Sequence, residues 1–295
     1  TTEGKTSTGG GGGDRSRFEF TLPTIKPTLR DTTSSKKDGR PDGRTATQFR
    51  PIFMRTGIVS QANGSAFIEQ GNTKIVASVF GPRPIVRAGA DGNAQNQLTQ
   101  QMGGQGAATS SGTSLGSDFS DEAIVTCDWK WSTFADSFGE HATSVFDAES
   151  ERDLGMTVAQ VLELSILRKA YPKSSIDINI LVLQDDGACL STAITCAGLA
   201  LAHAGIQLYD LIPACTISLS SSKQLSIDPS RTEEQEQEGQ LLLAINANSQ
   251  EATLLKQSGE LSAEHTLGAL ALANNGCQHI HTLVKKALLD SLTSK

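Results

Sequence analysis

No Cys-x-x-Cys pair occurs in the 295 residues, although five cysteines are present, Cys127, Cys189, Cys196, Cys215 and Cys277. Their odd number and wide spacing exclude a zinc ribbon and argue against a disulfide framework. Cys189 and Cys196 lie beside or within apolar segments, where a thiol behaves as a small buried hydrophobe. Long apolar runs are missing as well. The longest, Ala193 to Ala202, is interrupted by Thr195 and Gly198 and is far too short to span a bilayer. The first residues lack the pattern of a secretory leader. A soluble protein of a reducing compartment, with no membrane partner, is expected. Hydrophobic residues reach only 37%, below the usual share of a compact domain. The deficit is concentrated in two stretches. Residues 1–38, with the glycine run Gly9–Gly13, read as a disordered tail. Residues 88–120, rich in Gly, Gln, Asn, Ser and Ala, read as a flexible insertion within one sheet. The remainder of residues 39–291 can then bury a sizeable core.

Charge is unevenly spread. The net value of −7 argues against bulk attraction to nucleic acid. Residues 1–60, however, carry 11 Lys/Arg against 6 Asp/Glu, while the remaining 235 carry 14 against 26. A negatively charged partner is expected to meet the N-terminal part, where Arg40, Arg44, Arg50 and Arg55 precede a β-meander and Arg83 and Arg87 follow it.

The meander is legible from its turns. Gly57 to Gln61 reads as a strand, Asn63-Gly64 as a two-residue turn, Ser65 to Gln70 as the return strand. Gly71-Asn72 turns again into a β-branched strand from Thr73 to Phe80. Beyond the insertion, Glu122 to Trp131 reads as a strand and Glu149 to Lys169 as a helix that Pro172 stops. Ile176, Ile178, Ile180 and Val182 alternate as in a half-buried strand. Ser191 to Ala204 is a helix that is apolar nearly all round, with Gly205 as its left-handed cap. Leu211 to Ser220, Ser226-Ile227 and Gln240 to Asn246 follow as strands. Ser262 caps a last helix running to Ser291, whose apolar side carries Leu267, Leu270, Ala273, Cys277, Ile280, Val284 and Leu288, with Gly276 as a point of bending. Strands interspersed with helices give an α+β fold of mixed sheets packed with helices.

Three clusters could carry chemistry. Asp228, Glu233, Glu234, Glu236 and Glu238 form an acidic run that is either a solvated loop or a Mg²⁺ site at the mouth of a sheet. Asp185-Asp186-Gly187 pairs two aspartates but has the composition of a strand-to-helix turn. The histidines carry no metal spacing: His279 and His281 stand two residues apart, and His141, His203 and His265 are isolated.

The order Arg40-Pro41-Asp42-Gly43-Arg44, then Asn63-Gly64-Ser65-Ala66, then Glu69-Gln70-Gly71-Asn72-Thr73-Lys74, then Gly81-Pro82-Arg83, resembles the opening of the RNase PH family. That family includes phosphate-dependent 3′–5′ exoribonucleases and the ring subunits of the eukaryotic exosome. The resemblance implies the RNase PH fold, with a ribosomal-S5-like two-layer βαβα core. Active relatives place acids at positions that fall here on Asp228, Glu234 and Gln240, so Asp228 and Glu234 are expected to be vestigial. They also use arginines, whose planar fork grips phosphate in two places, in the loop before the first long helix and at its start. Here the loop Ser132–Glu140 carries no basic residue, and only Arg152, between Glu151 and Asp153, is near.

The resemblance therefore implies a non-catalytic ring subunit without a cofactor or metal, with an active phosphorolytic exoribonuclease as the alternative. The string Arg168 to Ile178 is similar to one non-catalytic branch of these subunits. Partners implied are other RNase PH-like ring subunits, in heterodimers within a six-membered ring, RNA-binding cap subunits, an associated hydrolytic nuclease and single-stranded RNA. Arg83 and Arg87 match a loop that lines the central channel and would touch the RNA backbone. Nucleus, nucleolus and cytoplasm are the compartments implied.

Overall fold

A mixed five-stranded sheet and an antiparallel four-stranded sheet enclose one central helix. In the computed structural model, residues 40, 42–84, 121–135 and 145–293 are described, with side chains 145–147 excepted. The expected tail 1–38 and insertion 88–120, Arg87, His141 and residues 136–140 lie outside them. The elements are β1 (Ile52–Thr56), β2 (Gly64–Gln70), β3 (Thr73–Pro84), β4 (Ile124–Trp131), α1 (Val145–Ser165), β5 (Ser174–Gln184), α2 (Cys189–His203), β6 (Ala214–Ser220), β7 (Leu225–Ile227), α3 (Arg231–Glu236), β8 (Gln237–Ile245), β9 (Ala252–Gly259) and α4 (Ala263–Thr293). The first sheet has the order β1-β2-β3-β5-β4 and the second β7-β6-β8-β9. Only the β4–β5 pair is parallel.

Burial follows from which faces the helices cover. Along β5 the alternating Ile176, Ile178, Ile180 and Val182 are buried while Asn179 and Leu181 are exposed, so one face only is packed. In β6 nearly every residue is buried. Thr216 donates to Ser191 of α2 at 2.9 Å, whereas a side chain on Gly276 of α4 would meet Cys215 Sγ at 2.9 Å, so α2 and α4 lie on opposite faces of this sheet. The mostly apolar circumference of α2 is explained by its place between both sheets.

Several sequence expectations need correction. The first strand is Ile52–Thr56, not Gly57 to Gln61. Gly57 adopts φ +73°, which leaves the strand, and the Val59 N–H bonds to the side-chain Oγ of Ser65 rather than to a backbone carbonyl of a strand ladder. Gly64 is not a positive-φ turn residue; a Cβ there would stand 2.4 Å from Ala200 O of α2, so its role is close strand–helix approach. The long helix ends at Ser165, four residues early, because Ile166 bridges Leu208 and Arg168–Ala170 form a 3₁₀ turn. α4 continues through Gly276 without a break, and Leu267 is exposed rather than on its packed side. β9 and α3 were not foreseen.

Candidate functional site

The arginines that precede the meander do not face outward as a group. Arg50 is buried, and its guanidinium grips the Asp228 carboxylate in two places, Nε to Oδ2 at 2.9 Å and Nη2 to Oδ1 at 2.6 Å. The Arg50 backbone N–H donates to the same carboxylate at 2.9 Å, and its remaining donors reach the carbonyls of Asp186 (2.6 Å) and Gly187 (3.0 Å). Burial alone would lower the Arg50 pKa, but the hydrogen bond and charge of Asp228, with help from Asp186 and Glu234, raise it. Arg40 forks onto Glu233 at 2.7 Å on both oxygens and donates to the carbonyls of Ile227 and Asp228. Arg44 stands 3.8 Å from Asp228. Three of the cations expected to meet a negatively charged partner are thus spent on the chain's own acidic segment. Arg55 alone of the four is exposed.

That segment is not a plain loop, although Glu236 and Glu238 in it are exposed. Ser230 and Glu233 form a capping box, with the Ser230 N–H donating to Glu233 Oε2 at 2.9 Å, and Arg231–Glu236 wind into α3. The signature Ser-x-x-Glu was present in the sequence and could have located this helix. Burial raises the Glu233 pKa, but the Arg40 hydrogen bond, the Ser230 N–H and the charges of Arg40 and Arg44 outweigh it and leave the group below its ordinary value. Asp185 accepts the Gly187 N–H at 3.0 Å, and Gly187 adopts φ +90° against Pro229 and Ser230, so this pair of aspartates does serve a turn.

A cleft of about 250 Å³ opens between the start of α2, α3 and strands β4, β8 and β9. Trp129 and Trp131, ring centroids 5.5 Å apart, form one wall. Asp185, Arg231, Glu234, Gln240 and Lys256 supply its polar groups. Glu234 accepts the Ala188 N–H at 2.8 Å and the Gln240 side-chain amide at 3.4 Å, and lies 3.7 Å from Arg231. Burial pushes its carboxyl above the ordinary value, Asp185 adds to this, and Ala188, Arg231 and Arg50 oppose it. Two acids here face Arg231 and Lys256, so the cleft is charge-balanced rather than strongly basic.

The structure therefore brings Glu234 and Gln240 together in the cleft and turns Asp228, 1% exposed, toward Arg50 behind it. Arg152 is exposed on α1 and does not line the cleft. Arg83 lies far from these groups along the sequence, at the end of β3, with its guanidinium 5.1 Å from the Phe80 ring centre and 4.0 Å from Asp177. The five cysteines are free; burial pushes Cys127, Cys196 and Cys277 up to about 12 and Cys189 and Cys215 well above their ordinary value, so none is a poised nucleophile. His203 accepts the Ser65 N–H, and the exposed His279 stacks on Phe49. No helix among the described residues is long and apolar enough to cross a membrane.

Comparison with known proteins adds the following. A family model described as 3′ exoribonuclease family, domain 1, matches residues 48–207, and domain 2 of the same family matches residues 210–276. Exosome complex component MTR3 of Mus musculus is 30% identical over 259 residues, covering 87% of this chain and 88% of the relative. The RRP41-like exosome component of Arabidopsis thaliana is 31% identical over 255 residues, covering 86% of each. The crystal structure of Rrp46 from rice superposes with a TM-score of 0.65 at 22% identity, covering 84% of this chain and all of the other.

Proposed function

The chain belongs to the RNase PH (3′ exoribonuclease) family, and from that premise we propose that it is a non-catalytic ring subunit of an RNA exosome. It pairs with other RNase PH-like subunits in a six-membered ring, scaffolds that ring, and helps guide single-stranded RNA through the central channel toward 3′–5′ decay. RNA-binding cap subunits and a hydrolytic nuclease complete the assembly, in nucleus, nucleolus and cytoplasm.

The observation that carries the non-catalytic part is the fate of the acidic positions. Of the three positions that active relatives fill with acids, Asp228 is held by Arg50, Gln240 is a neutral amide, and only Glu234 presents a carboxylate to the cleft. A phosphate entering there would meet Glu234 and Asp185 together. Repulsion between like charges about 4 Å apart amounts to several kcal/mol at the effective dielectric of a protein surface. Arg231, the nearest guanidinium, already lies within 4.0 Å of both acids.

For the RNA-guiding part, Arg83 is the described candidate and Arg87 its companion. The Arg83 side chain is 57% exposed, and its ion-pair contact among the described residues is the long one to Asp177. Such a group can give a sequence-independent phosphate contact. The test is co-expression of the full chain with RNase PH-type subunits of its own organism, followed by native mass spectrometry and RNA protection. Incorporation into a six-subunit ring that protects RNA is expected. A chain that remains alone beside fully formed rings would overturn the proposal.

A further inference from the structure

One buried titratable group takes no part in the cleft or in the arginine–carboxylate contacts beside it. His281 sits on α4, 9% exposed, against α2 and the loop that leads into β6. Its Nε2 is buried and has no hydrogen-bond partner. The space around the ring is walled by Thr195, Leu199, Ile212, Pro213 and Val284 and leaves no room for a water molecule. Thr195 brings a hydroxyl, but that group is already engaged. It donates to Ser191 O at 3.0 Å and accepts the Ala214 N–H at 3.2 Å.

A neutral imidazole suits this place and an imidazolium does not. With its proton on Nδ1 the neutral ring leaves a bare lone pair at Nε2, whereas the protonated ring brings an N–H and a full charge. A buried charge without a partner is costly. The charged groups that face the ring come from two elements. Lys285, one turn further along α4, repels a second cation, and Asp210, in the loop before β6, attracts it. Asp210 is committed elsewhere: its Oδ1 accepts the Leu211 N–H at 2.8 Å and the Asn248 side-chain amide at 3.0 Å. The part of α2 that packs there, Thr195 to Leu199, carries no charge. Burial first, and then Lys285, hold the His281 pKa below its ordinary value, with Asp210 opposing.

We infer that His281 is an acid-sensitive latch for the end of α4: a proton taken from solvent at Nε2 loosens the last turns of the helix from α2 and the loop before β6. The response is local because the helix is unevenly anchored. Ala269, Ala273, Cys277 and Ile280 fix its first two thirds to the core. Past His281 the anchors among the described residues are Val284 and the half-buried Leu288, while Leu289 and Leu292 are exposed. Losing the His281 contact therefore frees about three turns without unseating the helix. Because the folded pKa is lowered, the packed end is most stable above the ordinary histidine range and weakens as pH falls through it. The latch works in the isolated chain and owes nothing to ring assembly.

Two measurements on the full chain test this. Imidazole proton resonances followed by NMR between about pH 5 and pH 8 report each histidine, and His281 is expected to titrate at lower pH than the exposed His279. Amide exchange read by mass spectrometry, corrected for the intrinsic rate, reports the helix. Exchange across residues 282–293 is expected to accelerate as pH falls, by up to about tenfold per pH unit between the unfolded and folded pKa values, since one proton is linked to opening. The centres of α2 and β5 should not respond. His281→Phe keeps a ring without a titrating nitrogen and is expected to abolish the acceleration. Lys285→Gln removes a like charge at an exposed position and is expected to move it to higher pH. If His281→Phe fails to fold, the unmodified chain and Lys285→Gln decide the matter. A His281 that titrates together with His279, or a helix end whose exchange ignores pH, would overturn the inference. Acceleration that persists in a folded His281→Phe variant would overturn it as well, by giving the response to another group.

Discussion

At Asp228 the backbone adopts φ 55° between β7 and α3, and the carboxylate meets Arg50 from 178 residues away in sequence. Removing one partner of a buried ion pair strands the other, at a cost of about 3–5 kcal/mol. Arg50→Met is therefore expected to lower the free energy of unfolding in urea by that amount, and Asp228→Asn added to it should recover part of the loss. Recovery of nothing would mean that Arg50 acts through the Asp186 and Gly187 carbonyls alone. The neighbouring Glu233 and Glu234 are shifted in opposite directions from 4.5. Glu233, lowered in the fold, contributes stability above its unfolded pKa that is lost as pH falls through the folded value. Glu234, raised in the fold, contributes stability below its unfolded pKa that is lost as pH rises through the folded value. Thermal melts between about pH 3 and pH 7 should then show Glu233→Gln most damaging near neutrality, and Glu234→Gln relatively more favourable there. Parallel pH profiles for the two variants would contradict this. The sequence identified Asp228 and Glu234 as chemistry-bearing, because acids after a strand are conspicuous. It could not reveal that Arg40 and Arg50 answer them, since contacts at such separation leave no local pattern.

Elements were legible where one physical rule dominated. The alternation in β5, the Gly71 turn at φ +61° and the apolar helix α2 each follow from a single periodicity or glycine conformation. β9 was missed because it is an edge strand whose residues are mostly exposed, so no buried alternation marks it. β1 was displaced because Phe53 and Arg55 face outward and hide the inward pair Ile52 and Met54. Gly64 shows how element packing can be tested. With a Cβ placed 2.4 Å from both Ala200 O and Ala204 N, Gly64→Ala must push β2 off α2 and should cost roughly 1–3 kcal/mol or more. Gly205, at φ +75° with no atom within 4 Å of an added Cβ, provides the control. Gly205→Ala should cost only the left-handed backbone penalty of about 1–2 kcal/mol. Equal or reversed losses in chemical denaturation would show that the strand–helix approach is looser than described.

For the whole molecule, the charge asymmetry visible in the sequence pointed to an external anionic partner, yet of the four described arginines before β2 three, Arg40, Arg44 and Arg50, turn inward. Arg40, Arg44 and Arg50 fasten the segment before β1 to the acidic one after β7, and so tie the two sheets together. Arg83 is the described residue that we propose for the RNA contact, with its side chain 57% exposed. Arg83→Glu in a reconstituted ring should leave assembly intact and weaken RNA binding similarly for all sequences, with the slope of log affinity against log salt reduced by roughly one. Loss of assembly with that substitution would make the residue structural. The central claim, that this RNase PH-fold chain scaffolds without catalysing, is tested most directly by incubating the purified chain with single-stranded RNA, inorganic phosphate and Mg²⁺ and measuring nucleoside diphosphate release. No release above the protein-free control is the expected result; release that Glu234→Ala abolishes would contradict it.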